Sequence, residues 1–563
     1  MRWREPAVEP ASPTADLARP VGAVRDSLVV GVWTLVSRIS GFGRIAVIAA
    51  VLGPTFFGNT YQITNTLPNI IYYGLLAGSL VSSLLVPALV RHIDMGDRRS
   101  CERVAGGALG LILVALTPVI PIGLLVAPTL FRLATLGSAQ SGVGAGQERL
   151  ASWLLPMLLP QVFLYAVIGC SAAAMHAHRR FALPAAAPAI ENLGSIVVLA
   201  ITWVLYRDNA SLDEVPIGEL LLLGLGTTGA VAVHAAIQWL GAWRVGVLMR
   251  PRAGWRDDEV REILRRAVPS LIQAALLTIQ LLAVLFVTNR VAGGVVAYQI
   301  AAAFFALPIA LGATPVALSL LPRLSRLHQR GDGSVFRDVT ARGLRFALFV
   351  TAPAAAVLAV LAPVLATAVS FGRMATDEGP AMVAAAVLVS APGVVGETAF
   401  LVGTYASYSR NDTRSPLRSM VVKFVVCVAL LGVASAAEGR NVVTLASLSV
   451  SVAAIAGAIH RLRTLLRGVP LGAERLLPAC ARTATAVALM IIPLYVGRLL
   501  LQDVHNQAGA LGGAIVVCLI SAGVYVGVQS LFHAPESSWM VGALAKRILP
   551  GARRARGSRD GAP

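Results

Sequence analysis

The chain has 563 residues, of which 56% are hydrophobic and only 13% charged, with a formal net charge of +19. Soluble globular chains carry about 25% charged residues. Half that share, with a mean hydropathy of +0.74, excludes an ordinary soluble enzyme and points to an integral membrane protein. The arginines recur in short bursts between apolar runs. That pattern excludes a nucleic-acid-binding domain and matches the way membrane topology is set.

Residues 1–26 are polar and proline-rich and lack the basic, apolar, small-residue order of a signal peptide. They are expected to form a disordered cytoplasmic arm. A bilayer core of about 30 Å takes about 20 apolar residues in helix. On that criterion spans fall near 28–51, 61–90, 104–130, 150–174, 182–205 and 219–243. A second set falls near 265–288, 295–321, 343–371, 380–407, 417–436 and 441–460, and two more near 477–500 and 509–532. The runs are continuous rather than alternating, so helices and not a β-barrel are expected. The expected fold is an all-α polytopic membrane protein with about fourteen transmembrane helices. It divides into a six-helix lobe over 27–248, a second six-helix lobe over 249–470, two further helices over 471–535 and a basic cytoplasmic tail over 536–563.

The connecting segments alternate in charge. One set is basic: Arg91 to Arg103, His178 to Arg180, Arg250 to Arg266, Arg323 to Arg345, Arg410 to Arg418, Arg461 to Arg467, and the tail with Arg553, Arg554 and Arg556. The other set is short and neutral or acidic, as in Gly53 to Gly58, Asp208 to Glu219 and Gly372 to Gly379. The positive-inside rule places the basic loops and both termini in the cytoplasm. The five cysteines stand singly and form no metal or disulfide framework.

The first six spans resemble the next six. Span two opens on Tyr61-Gln62-Ile63 and span eight on Tyr298-Gln299-Ile300; each ends before a polar turn, Asp94 to Asp97 and Gln329 to Asp332. Spans four and ten each end in a basic turn, and a proline then opens the next span, Pro184 and Pro416. An even number of spans separates the copies, so the lobes share one orientation and their axis lies along the membrane normal, with a substrate site between them.

Four motifs carry a family resemblance. They are Ser37-Arg38-Ile39-Ser40-Gly41-Phe42-Gly43-Arg44; Leu67-Pro68-Asn69; His176 to Pro184 followed by Pro188 and Asn192; and Tyr408-Ser409-Arg410-Asn411-Asp412-Thr413-Arg414-Ser415-Pro416. In this order they resemble the MurJ (MviN) lipid II flippases, within the multidrug/oligosaccharidyl-lipid/polysaccharide exporter superfamily. The resemblance implies two six-helix lobes about a central cavity, alternating access, and a polyprenyl-pyrophosphate-linked saccharide as substrate. The chain departs from the family at charged positions: Ile45, Asn59, Tyr72, Tyr73, Ala302 and Ala303 stand where the family carries acids or arginines.

The charged and polar residues inside the spans are the functional candidates. Arg38 and Arg44 lie in an apolar helix, where an arginine costs about 3 kcal/mol to insert and so usually faces a polar cavity. Guanidinium matches pyrophosphate through bidentate hydrogen bonds. Snorkelling, or packing against an acid, is the structural alternative. The pair is about 120° apart around an ideal helix, and Gly41 and Gly43 between them would permit a bend. Asn59, Asn69, Tyr72 and Gln299 complete the candidate substrate-binding set. Interhelical polar contacts or an aromatic belt are the alternatives for these four. Glu191 and Lys423 occupy matching repeat positions, and Glu397 lies near the middle of span ten. Glu397 and Glu191 are the ion-coupling candidates.

No nucleotide loop, metal box or nucleophile–base pair occurs, so no cofactor and no enzymatic activity are expected. The energy source is left to the membrane potential or a cation gradient. The leading function is a flippase for a lipid-linked saccharide, lipid II first and another polyprenyl-linked glycan second. Two other readings stay open: a drug/cation antiporter of the same fold, and a non-transporting scaffold for wall synthesis. Expected partners are the lipid-linked substrate, membrane lipids and proteins of cell-wall synthesis, and not nucleic acid. The expected location is the cytoplasmic membrane.

Overall fold

The computed structural model describes residues 20–72, 85–134, 142–206, 212–376, 378–468, 473–504 and 506–536. The expected arm up to residue 19, the basic tail beyond 536, Tyr73 and the middle of span two lie outside the described residues. Within them the chain forms nineteen α-helices and no strand. The first group is α1 (Pro20–Leu52), α2 (Phe56–Tyr72), α3 (Val86–Asp94), α4 (Arg98–Leu116), α5 (Val119–Ala134), α6 (Val143–Leu158), α7 (Gln161–Ala177), α8 (Ala182–Leu205) and α9 (Ile217–Arg244). The second is α10 (Asp258–Thr288), α11 (Gly294–Pro308), α12 (Thr314–Gln329), α13 (Gly333–Val360), α14 (Ala362–Val369), α15 (Glu378–Tyr408), α16 (Arg414–Ala434) and α17 (Arg440–Gly468). Helices α18 (Ala473–Leu501) and α19 (Gln507–Leu531) follow.

Thirteen helical stretches among the described residues are long and apolar enough to cross a bilayer. They fall on thirteen of the expected spans; the other, 61–90, is interrupted by the undescribed segment. The structure corrects the spans in detail. Span three breaks between α4 and α5 at Thr117-Pro118, span four between α6 and α7 at Leu159-Pro160, and span nine between α13 and α14 at Leu361. Proline removes a backbone donor and clashes with the preceding turn, while apolar composition continues across each break. Large apolar side chains stand outward, among them Leu125, Leu500, Leu519 and Leu531. In water so broad an apolar surface would aggregate; hydrocarbon is its natural solvent.

The internal repeat is visible in the backbone. Arg179 after α7 has φ 57° and Asn411 after α15 has φ 58°. In both turns the next amide reaches back five residues, Arg180 N to Met175 O at 2.8 Å and Asp412 N to Ser407 O at 3.0 Å. Gly96 and Gly331 likewise end α3 and α12 at φ 70° and 73°, with Asp97 and Asp332 closing the turn. These are left-handed helix stops of the Schellman type, made at matching sites in both copies.

Packing within each lobe uses small residues, as expected where lipid supplies no hydrophobic drive between helices. α15 crosses α17 so closely that a Cβ on Gly396 would sit 2.7 Å from the Ile455 amide. The C-terminal pair α18–α19 packs on α13 and α14. Two arginines assigned to the cytoplasmic loops are placed differently. Arg461 is fully buried in α17, donating to the Gly403 carbonyl at 3.2 Å and to the Ser407 hydroxyl. Arg345 lies within α13 and pairs with Glu536 at 2.6 Å.

The two lobes are tied at both ends. At the neutral end Asn59 donates to the Val291 carbonyl at 2.8 Å and accepts from the Val295 amide at 3.0 Å. Gln147 and Asn289 exchange amide hydrogen bonds at 3.0 and 2.9 Å. At the basic end His92 meets Glu259 at 3.0 Å, Arg103 meets Asp257 at 2.6 Å, and Arg91 also pairs with Glu259.

Candidate functional site

The polar residues of the first lobe converge on one carboxylate. Glu191 sits on α8, nine residues past Ala182, about 14 Å along the helix axis and near the middle of a 30 Å core. Its Oε1 accepts from the Tyr165 hydroxyl at 3.0 Å and lies 3.5 Å from Arg44 Nη1. Its Oε2 lies 2.7 Å from His234 Nδ1. Gln238 Nε2 lies 3.4 Å from His234 Nε2. α1, α7 and α8 each contribute one of these groups and α9 two, because α8 packs on both α1 and α9 and α9 packs on α7.

Arg38 is placed otherwise. It is exposed and has no ion pair among the described residues, while Arg44 is turned to Glu191. α1 is helical through Gly41 and Gly43, and Gly41 serves close packing: its Cα faces Asn192 of α8, whose amide donates to Ser40 Oγ at 3.1 Å and to the Ser37 carbonyl at 3.3 Å. Asn69 joins the cluster from α2, donating to the Tyr165 hydroxyl at 3.4 Å.

Two candidates from the substrate-binding set are drawn into the packing. Asn59 is fully buried, and its amide is used up in the tie between the lobes. Tyr72 is 2% exposed and stacks on Tyr165, with ring centroids 5.5 Å apart. It therefore offers no open face to a sugar in this conformation. Its hydroxyl rests on Gly169, where any Cβ would overlap it. Gly169→Ala is expected to destabilise the protein by about 1–3 kcal/mol, the usual cost of overpacking. Adding Tyr72→Phe should recover part of that loss. Thermal unfolding of the two single variants and the double variant measures this coupling. Gln299 binds Thr66 Oγ1 at 3.2 Å, linking α11 to α2, its repeat counterpart.

In the second lobe Glu397 is not a bare carboxylate. Lys423 Nζ lies 2.6 Å from its Oε2 and 5.3 Å from the Phe400 ring centroid. The 232-residue offset between Pro184 and Pro416 also relates Tyr165 to Glu397 and Glu191 to Lys423. Each lobe thus links the same two helix positions, by a tyrosine–glutamate hydrogen bond in one and a glutamate–lysine pair in the other. His234 was missed from the sequence, although an ionisable residue inside a span is itself a signal. Tyr165 gave no such signal.

An apolar cavity of about 400 Å³ lies between the second lobe and the C-terminal pair, lined by Ala352, Ala355, Pro392, Cys480, Thr483 and Gln529 among others. Among the described residues no group of His, Cys, Asp or Glu has the geometry to hold a metal ion.

Residues 48–540 match the family model described as lipid II flippase MurJ. The chain is 26% identical to the probable lipid II flippase MurJ of Vibrio cholerae over 413 residues, 72% of this chain and 76% of that one. It is 22% identical to the lipid II flippase MurJ of Burkholderia cenocepacia over 412 residues, 71% and 76% of the two chains. Among solved structures it resembles a lipid II flippase MurJ in an inward closed conformation, with a TM-score of 0.68 and 17% identity over 90% of this chain and 99% of that one. It also resembles an inward-facing multidrug resistance transporter of the MATE family, with a TM-score of 0.60 and 15% identity over 77% of this chain and 96% of that one. The fold is that of the exporter superfamily, and a family match over nearly the whole chain decides within it: the protein is a multi-pass membrane protein of the lipid II flippase MurJ family.

Proposed function

We propose that the chain moves lipid II, a polyprenyl-pyrophosphate-linked saccharide, from the inner to the outer leaflet of the cytoplasmic membrane by alternating access between its two lobes. Within the family, the observation that carries this reading is the exposed guanidinium of Arg38 on α1, which has no ion pair among the described residues. An exposed cation in an apolar helix is matched to an anionic head group. Arg44 supports it, because its Nε is buried without a hydrogen-bond partner. The drug/cation antiporter reading is weaker. Such a protein needs uncompensated acids, and both deep carboxylates here already face cations, Glu191 with Arg44 and Glu397 with Lys423. The domain plan stays as two lobes over 27–248 and 249–470. No cofactor is invoked; transport draws on the membrane potential or an ion gradient. Depletion of the protein should cause lipid II to accumulate on the inner leaflet, and an unchanged distribution would sink the proposal.

In this reading the basic loops and both termini are cytoplasmic. A cysteine introduced at Gly331, in the turn between α12 and α13, is expected to react only with a membrane-permeant thiol reagent. Labelling from the outer face by an impermeant one would reverse the orientation.

A further inference from the structure

Glu191, His234 and Arg44 are unequally satisfied. Glu191 and His234 have side chains 8% and 1% exposed, whereas Arg44 is 22% exposed. Arg44 touches Glu191 loosely at 3.5 Å, while His234 and Tyr165 hold the same carboxylate at 2.7 and 3.0 Å. Arg44 is the member an entering anion can detach, and Glu191 then stays behind, buried without its guanidinium. A buried carboxylate with no cation is costly.

His234 is built to cover that loss. With Nδ1–H donated to Glu191, Nε2 faces the Gln238 amide nitrogen at 3.4 Å, the contact a neutral imidazole makes. The other end of that amide, Gln238 Oε1, is buried with no partner among the described residues. Turning the amide over presents Oε1 to a protonated Nε2. Gln238 therefore serves both protonation states without any backbone movement, and Glu191 with imidazolium is again a neutral, hydrogen-bonded pair.

We propose that the Glu191–His234 pair takes up one proton when the pyrophosphate of the substrate draws Arg44 away. The proton comes from solvent and ends on His234 Nε2, and no other bond changes. The inference rests on the lipid-pyrophosphate reading above. The groups that face the pair are Arg44 from α1, Tyr165 from α7, Tyr72 stacked on Tyr165, and Tyr61 from α2, which interacts with Arg44. The charges of α6, Glu148 and Arg149, lie near its start at the neutral end, where Arg149 binds backbone carbonyls of the loop before α9. The second lobe needs no such uptake, because Lys423 already supplies a fixed cation to Glu397. Proton linkage thus resides in one lobe only.

The sign follows from linkage. The loaded site binds one more proton than the empty one, so substrate binding tightens as pH falls. For one proton taken up, the gain is at most about tenfold per pH unit. The test uses the full chain in lipid nanodiscs with purified lipid II as probe. Calorimetry in two buffers of different ionisation enthalpy counts the protons taken up. The wild type should take up about one per lipid II bound, and His234→Gln and Glu191→Gln about none, with affinities independent of pH. Both variants keep a hydrogen-bonding side chain, and their thermal unfolding is checked alongside. Binding by the wild type without proton uptake would overturn the proposal and leave the substrate reading standing. A second arm needs no substrate: in Arg44→Gln, ¹⁵N resonances of His234 should show imidazolium at a pH where the wild type is neutral. An imidazole that stays neutral there overturns the proposal whatever the lipid does. If lipid II binds at no pH, the substrate reading falls and the exchange with it, while the Arg44→Gln spectrum still reports whether the pair is a proton site.

Discussion

Arg38→Ala should abolish rescue of a depleted strain while the protein accumulates in the membrane at its normal level. Arg38 is exposed and has no ion pair among the described residues, so its removal breaks no contact described there. In the proposed function it is an anchor for pyrophosphate. Hydrogen bonds to charged groups contribute about 1.5–3 kcal/mol each. Loss of a bidentate pair therefore weakens binding by about a hundredfold or more. Arg38→Lys should restore only part of the activity, since one ammonium cannot reproduce the fork. Arg44 compensates only in part, because drawing it to the anion costs its contact with Glu191. Complementation, with membrane abundance checked by blot, is the measurement; full activity of Arg38→Ala would remove the anchor.

Lys423→Met should destabilise the protein by about 3 kcal/mol. The ammonium is 6% exposed and the Glu397 carboxylate 22%. Removing one member of a buried pair strands the other, and that costs far more than the pair itself contributes. Glu397→Gln should be damaging for the same reason. The double variant Glu397→Gln/Lys423→Met leaves no stranded charge and should recover most of the loss. Thermal unfolding in detergent gives the three values. If the double variant instead transports with altered ion dependence, Glu397 is a coupling site after all; unchanged dependence leaves it a structural pair.

The fold was legible because its signals are local. Run length and the alternation of arginine-rich with neutral loops fix the spans and, through the proline-opened α8 and α16, the repeat. Helix breaks at Pro118, Pro160 and Leu361 were not, since apolar composition continues across them. Arg345 and Arg461 read as loop charges because a hydropathy window cannot tell an arginine facing water from one bonded to Glu536 or to the Gly403 carbonyl. The site was legible only as single residues. Arg44 and Glu191 each stood out as a charge inside a span, but their contact depends on α1 packing on α8, which no spacing in the sequence records. Tyr72 and Asn59 stood out as departures from the family pattern, and only their burial reveals them as packing groups.

The most direct test is translocation itself. Purified protein reconstituted into vesicles with lipid II in one leaflet should move the head group to the other, as read by an impermeant reagent that modifies the exposed sugar. Transport should be fast with the wild type and near the protein-free rate with Arg38→Ala. Equal rates for wild type, Arg38→Ala and protein-free vesicles, with the wild type shown to be folded, would contradict a flippase.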